Sequence, residues 1–159
     1  MPWLQIPYYD EEGRLVGVQN RNLVRGALPR FRFPQGSECG IYNLPVLKRL
    51  RPGDELWIAE GCSDCWALLS AGHKAIAIPS ATLLSKKDKE LLSQLSLGVS
   101  LGLSLGLSLG LGLSFHMYPD RDAPGERLFL QLQQVLPTLV HHQLPEGCKD
   151  FGEYYKTTH

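Results

Sequence analysis

Apolar positions along this chain fall into short runs separated by polar, glycine or proline breaks, and the spacing within each run predicts its element. Residues 3–8 and 14–19 read as two short strands around the turn Asp10-Glu11-Glu12-Gly13, a β-hairpin. Residues 20–40 are rich in Arg, Pro and Gly and read as an irregular arm, and Leu44 to Leu50 as a short helix stopped by Pro52-Gly53. From there a rhythm begins. Glu55-Leu56-Trp57-Ile58-Ala59 is a short apolar run suited to a buried strand. Ser63 to Ser70 has helical spacing, and Gly72 marks its end. Ala75 to Ile78 predicts a second strand, Lys86 to Leu95 a helix, Phe115 to Tyr118 a third strand and Gly125 to Leu136 a helix. Leu139 to Gln143 predicts a fourth strand and Lys149 to Tyr155 a closing helical turn.

Strands alternating with helices imply an α/β fold, a parallel four-stranded sheet of Rossmann-like kind with helices on both faces. Ligands of such sheets gather at the carboxyl ends of the strands, so the residues just after each strand are the ones to inspect. A boundary near residue 53 separates an N-terminal hairpin and basic arm, 1–53, from the α/β domain, 54–159.

The stretch 95–114 breaks the rhythm, with Leu or Val at every odd position and Ser or Gly at every even one. A single strand of that length would reach about 60 Å, too long for a domain of this size. A membrane helix has no need of period-two alternation. The stretch reads as a low-complexity insertion forming a mobile loop or loose β-hairpin, without chemistry of its own.

Lys plus Arg and Asp plus Glu number 16 each among 159 residues, so net charge names no partner. Their distribution says more. Arg14, Arg21, Arg25, Arg30, Arg32, Lys48, Arg49 and Arg51 crowd the first third, a basic shoulder suited to a polyanion. Cys39, Cys62, Cys65 and Cys148 lack the dense spacing of a secreted disulfide scaffold. With no signal-peptide pattern at the N-terminus, they read as reduced thiols of a cytoplasmic protein. Cys62 and Cys65 have the spacing of half a zinc site, but no second pair follows. His141-His142, Trp57 and Trp66 read as structural, while Trp3 and Tyr8-Tyr9 fit either packing or stacking on bases.

Three acidic clusters fall after predicted strands. The first holds Glu60, with Asp64 one turn into the next helix; the second is Asp120-Arg121-Asp122; the third is Lys149-Asp150. Two Asp separated by one residue at a strand end project to the same side. That brings two hard oxygen ligands to one cation, magnesium or manganese, which keeps waters and takes substrate phosphates as remaining ligands. Each piece alone also has an ordinary reading: a turn at Glu60, a solvated loop at 120–122, a helix start at 149–150. No GxxxxGK[ST] phosphate loop occurs.

The order Glu60-Gly61-x-x-Asp64, then Gly72 with Ala75-Ile76-Ala77-Ile78-Pro79-Ser80, then Asp120-Arg121-Asp122-Ala123-Pro124-Gly125, resembles the TOPRIM domain of primases, topoisomerases, OLD-type nucleases and RecR-type repair proteins. The resemblance covers roughly residues 55–155 apart from the repeat. Upstream, Tyr9 to Gly17, Asn20-Arg21, Pro29-Arg30-Phe31 and Gly40 to Leu44 look like the basic subdomain preceding TOPRIM in DnaG-type primases. The ending Leu-Pro-x-Gly-x-Lys-Asp at 144–150 is similar to phage and plasmid primase-helicases.

That resemblance implies Glu60 as a general acid/base or metal-site organiser with Asp64 in support. It implies Asp120 and Asp122 as a metal pair, and Asp150 as a further acid near the metals. Arg21, Arg30 and Lys149 would face nucleotide or template. The implied activity is magnesium-dependent nucleotidyl transfer, RNA primer synthesis on single-stranded DNA for a mobile element, with a helicase or zinc-ribbon primase partner and no membrane. An OLD-type nuclease using the same metal site and a non-catalytic nucleic-acid-binding module are the alternatives. The chain departs from the primase pattern in lacking a zinc-ribbon, in Pro79-Ser80-Ala81 where a Gly-Thr-type turn is usual, and in the repeat preceding the strand that presents Asp120.

Overall fold

The structure, a computed structural model, describes residues 2–34, 39–79, 84–97 and 112–159. Two sheets organise it. The first is antiparallel, in the order β1 (Trp3–Tyr9), β2 (Leu15–Asn22), β3 (Phe31–Arg32). The expected hairpin is there, but its second strand runs on to Asn22 and a third strand pairs with it. Part of the segment read as an irregular arm is therefore extended. Asn20 and Arg21 find partners in Arg32 and Phe31 across the loop 23–30, a pairing that local composition does not signal.

The second sheet is parallel, in the order β5-β4-β6-β7, from β4 (Glu55–Glu60), β5 (Lys74–Ile78), β6 (Ser114–Met117) and β7 (Val140–His141). Between them run α1 (Cys62–Ser70), α2 (Lys86–Leu97) and α3 (Ala123–Val135), and α4 (Phe151–Thr158) closes the chain. This is the expected four-stranded α/β sheet. The fourth strand is shorter than residues 139–143, although the His142 amide still donates to the Met117 carbonyl at 2.8 Å. Leu144-Pro145 then leads away from the sheet.

Period-two alternation sorts the side chains of the central strands between two cores. Leu56, Ile58, Ile76 and Ile78 join Phe115 and Met117 against Leu92 and Leu95 of α2 and Leu128, Phe129 and Leu132 of α3. On the opposite face Ala59, Ala75 and Ala77 pack with Cys65 and Leu68 of α1 and Phe151 of α4. The small residues let α1 approach the sheet closely. Trp57, also on that face, stacks on His116 and Tyr118, with His73 and His142 tilted against it. His141 points the other way, to Glu126 and the edge of Phe129. The histidine pair thus splits between faces, as strand geometry requires.

A short 3-10 helix, Leu44–Arg49, links the sheets. Just before it, Tyr42 exchanges backbone hydrogen bonds with Ala77 and closes the outer edge of β5. Tyr8 of β1, buried at the junction, meets Tyr42 edge-on, and its hydroxyl lies 3.0 Å from Gln19 Oε1 and 3.4 Å from Cys62 Sγ. Cys62 and Cys65 therefore serve packing at two different interfaces. Most of the repeat, 98–111, lies outside the described residues, as does the loop or hairpin expected there. Its first three residues continue α2, and Ser114 opens β6. No helix among the described residues is long and apolar enough to cross a membrane.

Ile76 is fully buried on the central pair of strands. Ile76→Ala should cost about 2–5 kcal/mol, the usual penalty for emptying a core site. Urea unfolding checks this: the midpoint should fall with an unchanged slope.

Candidate active site

The parallel sheet has one topological switch point. The chain leaves β4 for β5 on one side, and β6 takes the place on the other side, so the connections diverge between β4 and β6. A crevice opens at the carboxyl ends of such a pair. Glu60 is the last residue of β4 and Asp120 follows the end of β6. Gly61, at φ 84°, turns the chain from β4 into α1 while its amide donates to the Ile78 carbonyl at 2.9 Å. That backbone conformation favours glycine.

Asp64 lies in the first turn of α1, yet it is only 5% exposed. Its Oδ1 accepts the amide of Gly152 from α4 at 3.0 Å, across 88 residues. A Cβ on Gly152 would stand 3.0 Å from that oxygen and 3.4 Å from Asp150 Oδ1, so a glycine here lets α4 close over the site. Asp150 caps α4 by accepting the Glu153 amide at 2.9 Å, and the Glu153 carboxylate reaches back to the Lys149 amide at 2.8 Å. Asp122 caps α3 in the same way, accepting the Gly125 amide at 2.7 Å. A Cβ on Gly125 would come within 2.4 Å of the Asp120 carbonyl oxygen. Gly125 is thus what permits the tight 120–125 turn. The Arg121 amide donates to the Lys149 carbonyl at 2.7 Å and ties the second acidic loop to the third.

All five sequence-expected acids converge. Asp120 sits among Asp64, Glu60, Asp150 and Asp122, whose charges all act on it. Burial raises the pKa of Asp120 above the ordinary 3.8, and the repulsion of these neighbours, Asp64 first, adds to it. Asp64 is raised by burial and then by Asp150. Glu60 is raised by burial and then by Asp122, with the Lys149 charge opposing. The remaining expected residues divide. Lys149 stands exposed beside the cluster, and Arg21, on β2, acts electrostatically on Cys62 at the start of α1. Arg30 lies beside β3 with its guanidinium 5.7 Å from the centre of the Phe31 ring, and is not among the charges acting on the acids.

Glu60 Oε2 and Asp120 Oδ1 are buried oxygens without a hydrogen-bond donor. Such atoms cost stability unless something positive meets them. The donor set is all hard oxygen, which suits magnesium. Among the described residues no three side chains are grouped to enclose an ion by themselves. Gly152 was not singled out by the sequence reading. The signal available was a glycine two residues beyond the Asp150 helix start, too common to mark a site alone.

No protein-family model and no curated protein matches the chain. Solved structures do. The chain is similar to the Aquifex aeolicus primase zinc-binding and RNA polymerase domains, with 22% identity and a TM-score of 0.71 over 98% of this chain and 37% of that one. It is similar to a DNA primase domain from Pseudomonas aeruginosa, with 20% identity and a TM-score of 0.68 over 98% of this chain and 47% of that one. The primase fragment of the bacteriophage T7 primase-helicase gives 17% identity and a TM-score of 0.66 over 99% of this chain and 59% of that one. The chain therefore spans between about a third and three fifths of these structures, and what it shares with them is the TOPRIM-like fold of a primase catalytic core.

The crowded acids make stability depend on pH. Asp64 and Asp120 bind protons more tightly folded than unfolded, so stability should fall as pH rises from 3.8 through their raised native values. Thermal melts in chelator from pH 5 to pH 9 should show this decline, and magnesium should reduce it. Asp120→Asn should raise the melting temperature at pH 8 in chelator, by about 2–4 °C for each kcal/mol of repulsion relieved, and should blunt the response to magnesium.

Proposed function

We propose that this chain is the catalytic part of a primase-like enzyme that joins ribonucleotides on a single-stranded DNA template. The observation that carries the reading is the convergence of Glu60, Asp64, Asp120, Asp122 and Asp150 at the switch point of a primase-type fold, with two buried oxygens lacking donors. The expected divisions of the chain, a basic N-terminal subdomain over 1–53 and a TOPRIM domain over 54–159, belong to the same proposal.

Asp120 and Asp122, with Glu60 and Asp150, would hold magnesium or manganese. The cation would supply neutralisation of charge on the transferring phosphoryl group. The protein's own groups do the rest. Asp64, fixed by the Gly152 amide, holds α4 and therefore Asp150 against the crevice. Asp122 and Asp150 each spend one oxygen on a helix cap, which sets the direction of the other. Glu60, its pKa raised by burial and then by Asp122, is suited to take the proton from an attacking ribose hydroxyl. The hydroxyl oxygen forms the new ester bond to the α-phosphate and pyrophosphate leaves.

Lys149, Arg21 and Arg30 are proposed to neutralise nucleotide and template phosphates. One primase catalytic domain of this fold has been solved bound to single-stranded DNA, and another with double-stranded DNA. Template binding by this chain is proposed on that basis. A zinc-ribbon or helicase partner, a cytoplasmic setting and a mobile-element source, the last suggested by the 144–150 ending, complete the reading.

Purified protein should bind magnesium in calorimetry and convert labelled ribonucleotides to short RNA on single-stranded DNA. Asp120→Asn/Asp122→Asn should lower synthesis by about a hundredfold or more, the effect of losing some 3 kcal/mol of transition-state stabilisation. Shortened DNA in place of new RNA would identify a nuclease. DNA binding that is indifferent to both magnesium and the double substitution would identify a non-catalytic module.

A further inference from the structure

Two features at opposite ends of the first sheet stand apart from the carboxylate site. At one end the loop 23–30 joins β2 to β3. The Val24 amide donates to Asn22 Oδ1 at 2.9 Å and the Ala27 amide to the Val24 carbonyl at 3.1 Å, so the loop is folded on itself. Its apolar side chains nevertheless face outward. Leu28 is 83% exposed and Leu23 55%, with Val24 beside them, and the exposed Arg25 and Arg30 flank the tip. Clustered aliphatic side chains held in water mark a contact surface.

At the other end a cavity of about 530 Å³ opens between the turn after β1 and helix α2. Val16, Ile41, Leu44 and Leu91 line it with apolar surface. Its lining also carries Glu11, Glu90 and the buried Asp88, with Lys87 and an Asp10 already engaged by Arg14. The volume lies in the range, about 300–1,000 Å³, of sites that bury organic groups. An apolar tip flanked by cations thus complements a cavity lined by apolar side chains and acids. Seven residues of extended chain, about 20 Å, separate the two, so the loop cannot fill its own cavity.

We propose that the 23–30 loop of one copy of this chain docks in the cavity of a second copy, Leu28 entering the apolar lining and Arg25 facing Glu11 and Glu90. The contact joins two different surfaces head to tail, so an open assembly keeps one free loop at one end and one free cavity at the other until a ring closes. The inference does not rest on the polymerase reading.

Sedimentation of the wild type across a concentration series tests it, with Leu28→Asp and Glu90→Arg as variants and circular dichroism melts to check folding. The wild type should associate as concentration rises, into a closed ring of two or more copies or a growing chain, less so in high salt. Each variant alone should remain monomeric. An equimolar mixture of the two should stop at a dimer, because it contains one intact loop and one intact cavity. A wild type that stays monomeric throughout overturns the proposal. So does a folded variant that associates like the wild type, or a mixture that stays monomeric where the wild type associates. A monomeric wild type whose retention of single-stranded DNA is lost with Leu28→Asp would overturn it too, and assign the loop to nucleic acid.

Discussion

Five carboxylates around one crevice repel each other, and the rest of this fold is arranged so that the repulsion does not pull them apart. The forces holding them are mostly main-chain. Asp64 is fixed by the Gly152 amide, Asp122 by the Gly125 amide and Asp150 by the Glu153 amide, so three of the five acids are anchored by N–H groups at or near helix starts. Helix N-termini carry partial positive charge, which offsets some of the carboxylate repulsion without introducing a mobile cation. The sheet fixes the other two, because Glu60 and Asp120 follow neighbouring strands whose register is set by buried side chains on both faces.

Much of this could be read from the chain alone, for definite reasons. Leu56-Trp57-Ile58-Ala59 and Ala75-Ile76-Ala77-Ile78 are apolar runs too short for helices, and the acids after them stand out against that background. The convergence of Glu60, Asp120 and Asp150 followed from placing their segments on one parallel sheet. What could not be read depends on partners distant in sequence. β3 exists because Asn20 and Arg21 pair across a loop, and its Arg-Pro-Gly surroundings gave no strand signal. The depth of Asp64 was hidden as well, since an acid in a helix's first turn is ordinarily solvated. It is α4, 88 residues away, that covers it. Leu139 to Gln143 had the composition of a longer strand, yet the sheet uses Val140 and His141 at its edge.

The two faces of the parallel sheet divide the work. The face toward α2 and α3 is built of large aliphatic residues and Phe, a dense core that sets the sheet's shape. The face toward α1 and α4 is built around alanines and one tryptophan ringed by His73, His116, His142 and Tyr118. Alanine surfaces allow close approach of a helix, and close approach of α1 puts Asp64 within range of Asp120. Packing on one face is therefore part of the electrostatics at the strand ends.

The hydrogen bond from the Arg121 amide to the Lys149 carbonyl has a further consequence. It joins two loops that arrive from strands β6 and β7, and it uses no side chain. Whatever residue stands at either position, provided it is not proline at 121, this tie between the loops carrying the acids at 120 and 150 can form. A site whose alignment is written into the peptide backbone tolerates drift in the side chains around it. The residues at 121 and 149 can then change while the spacing of the charged groups on either side of them is kept.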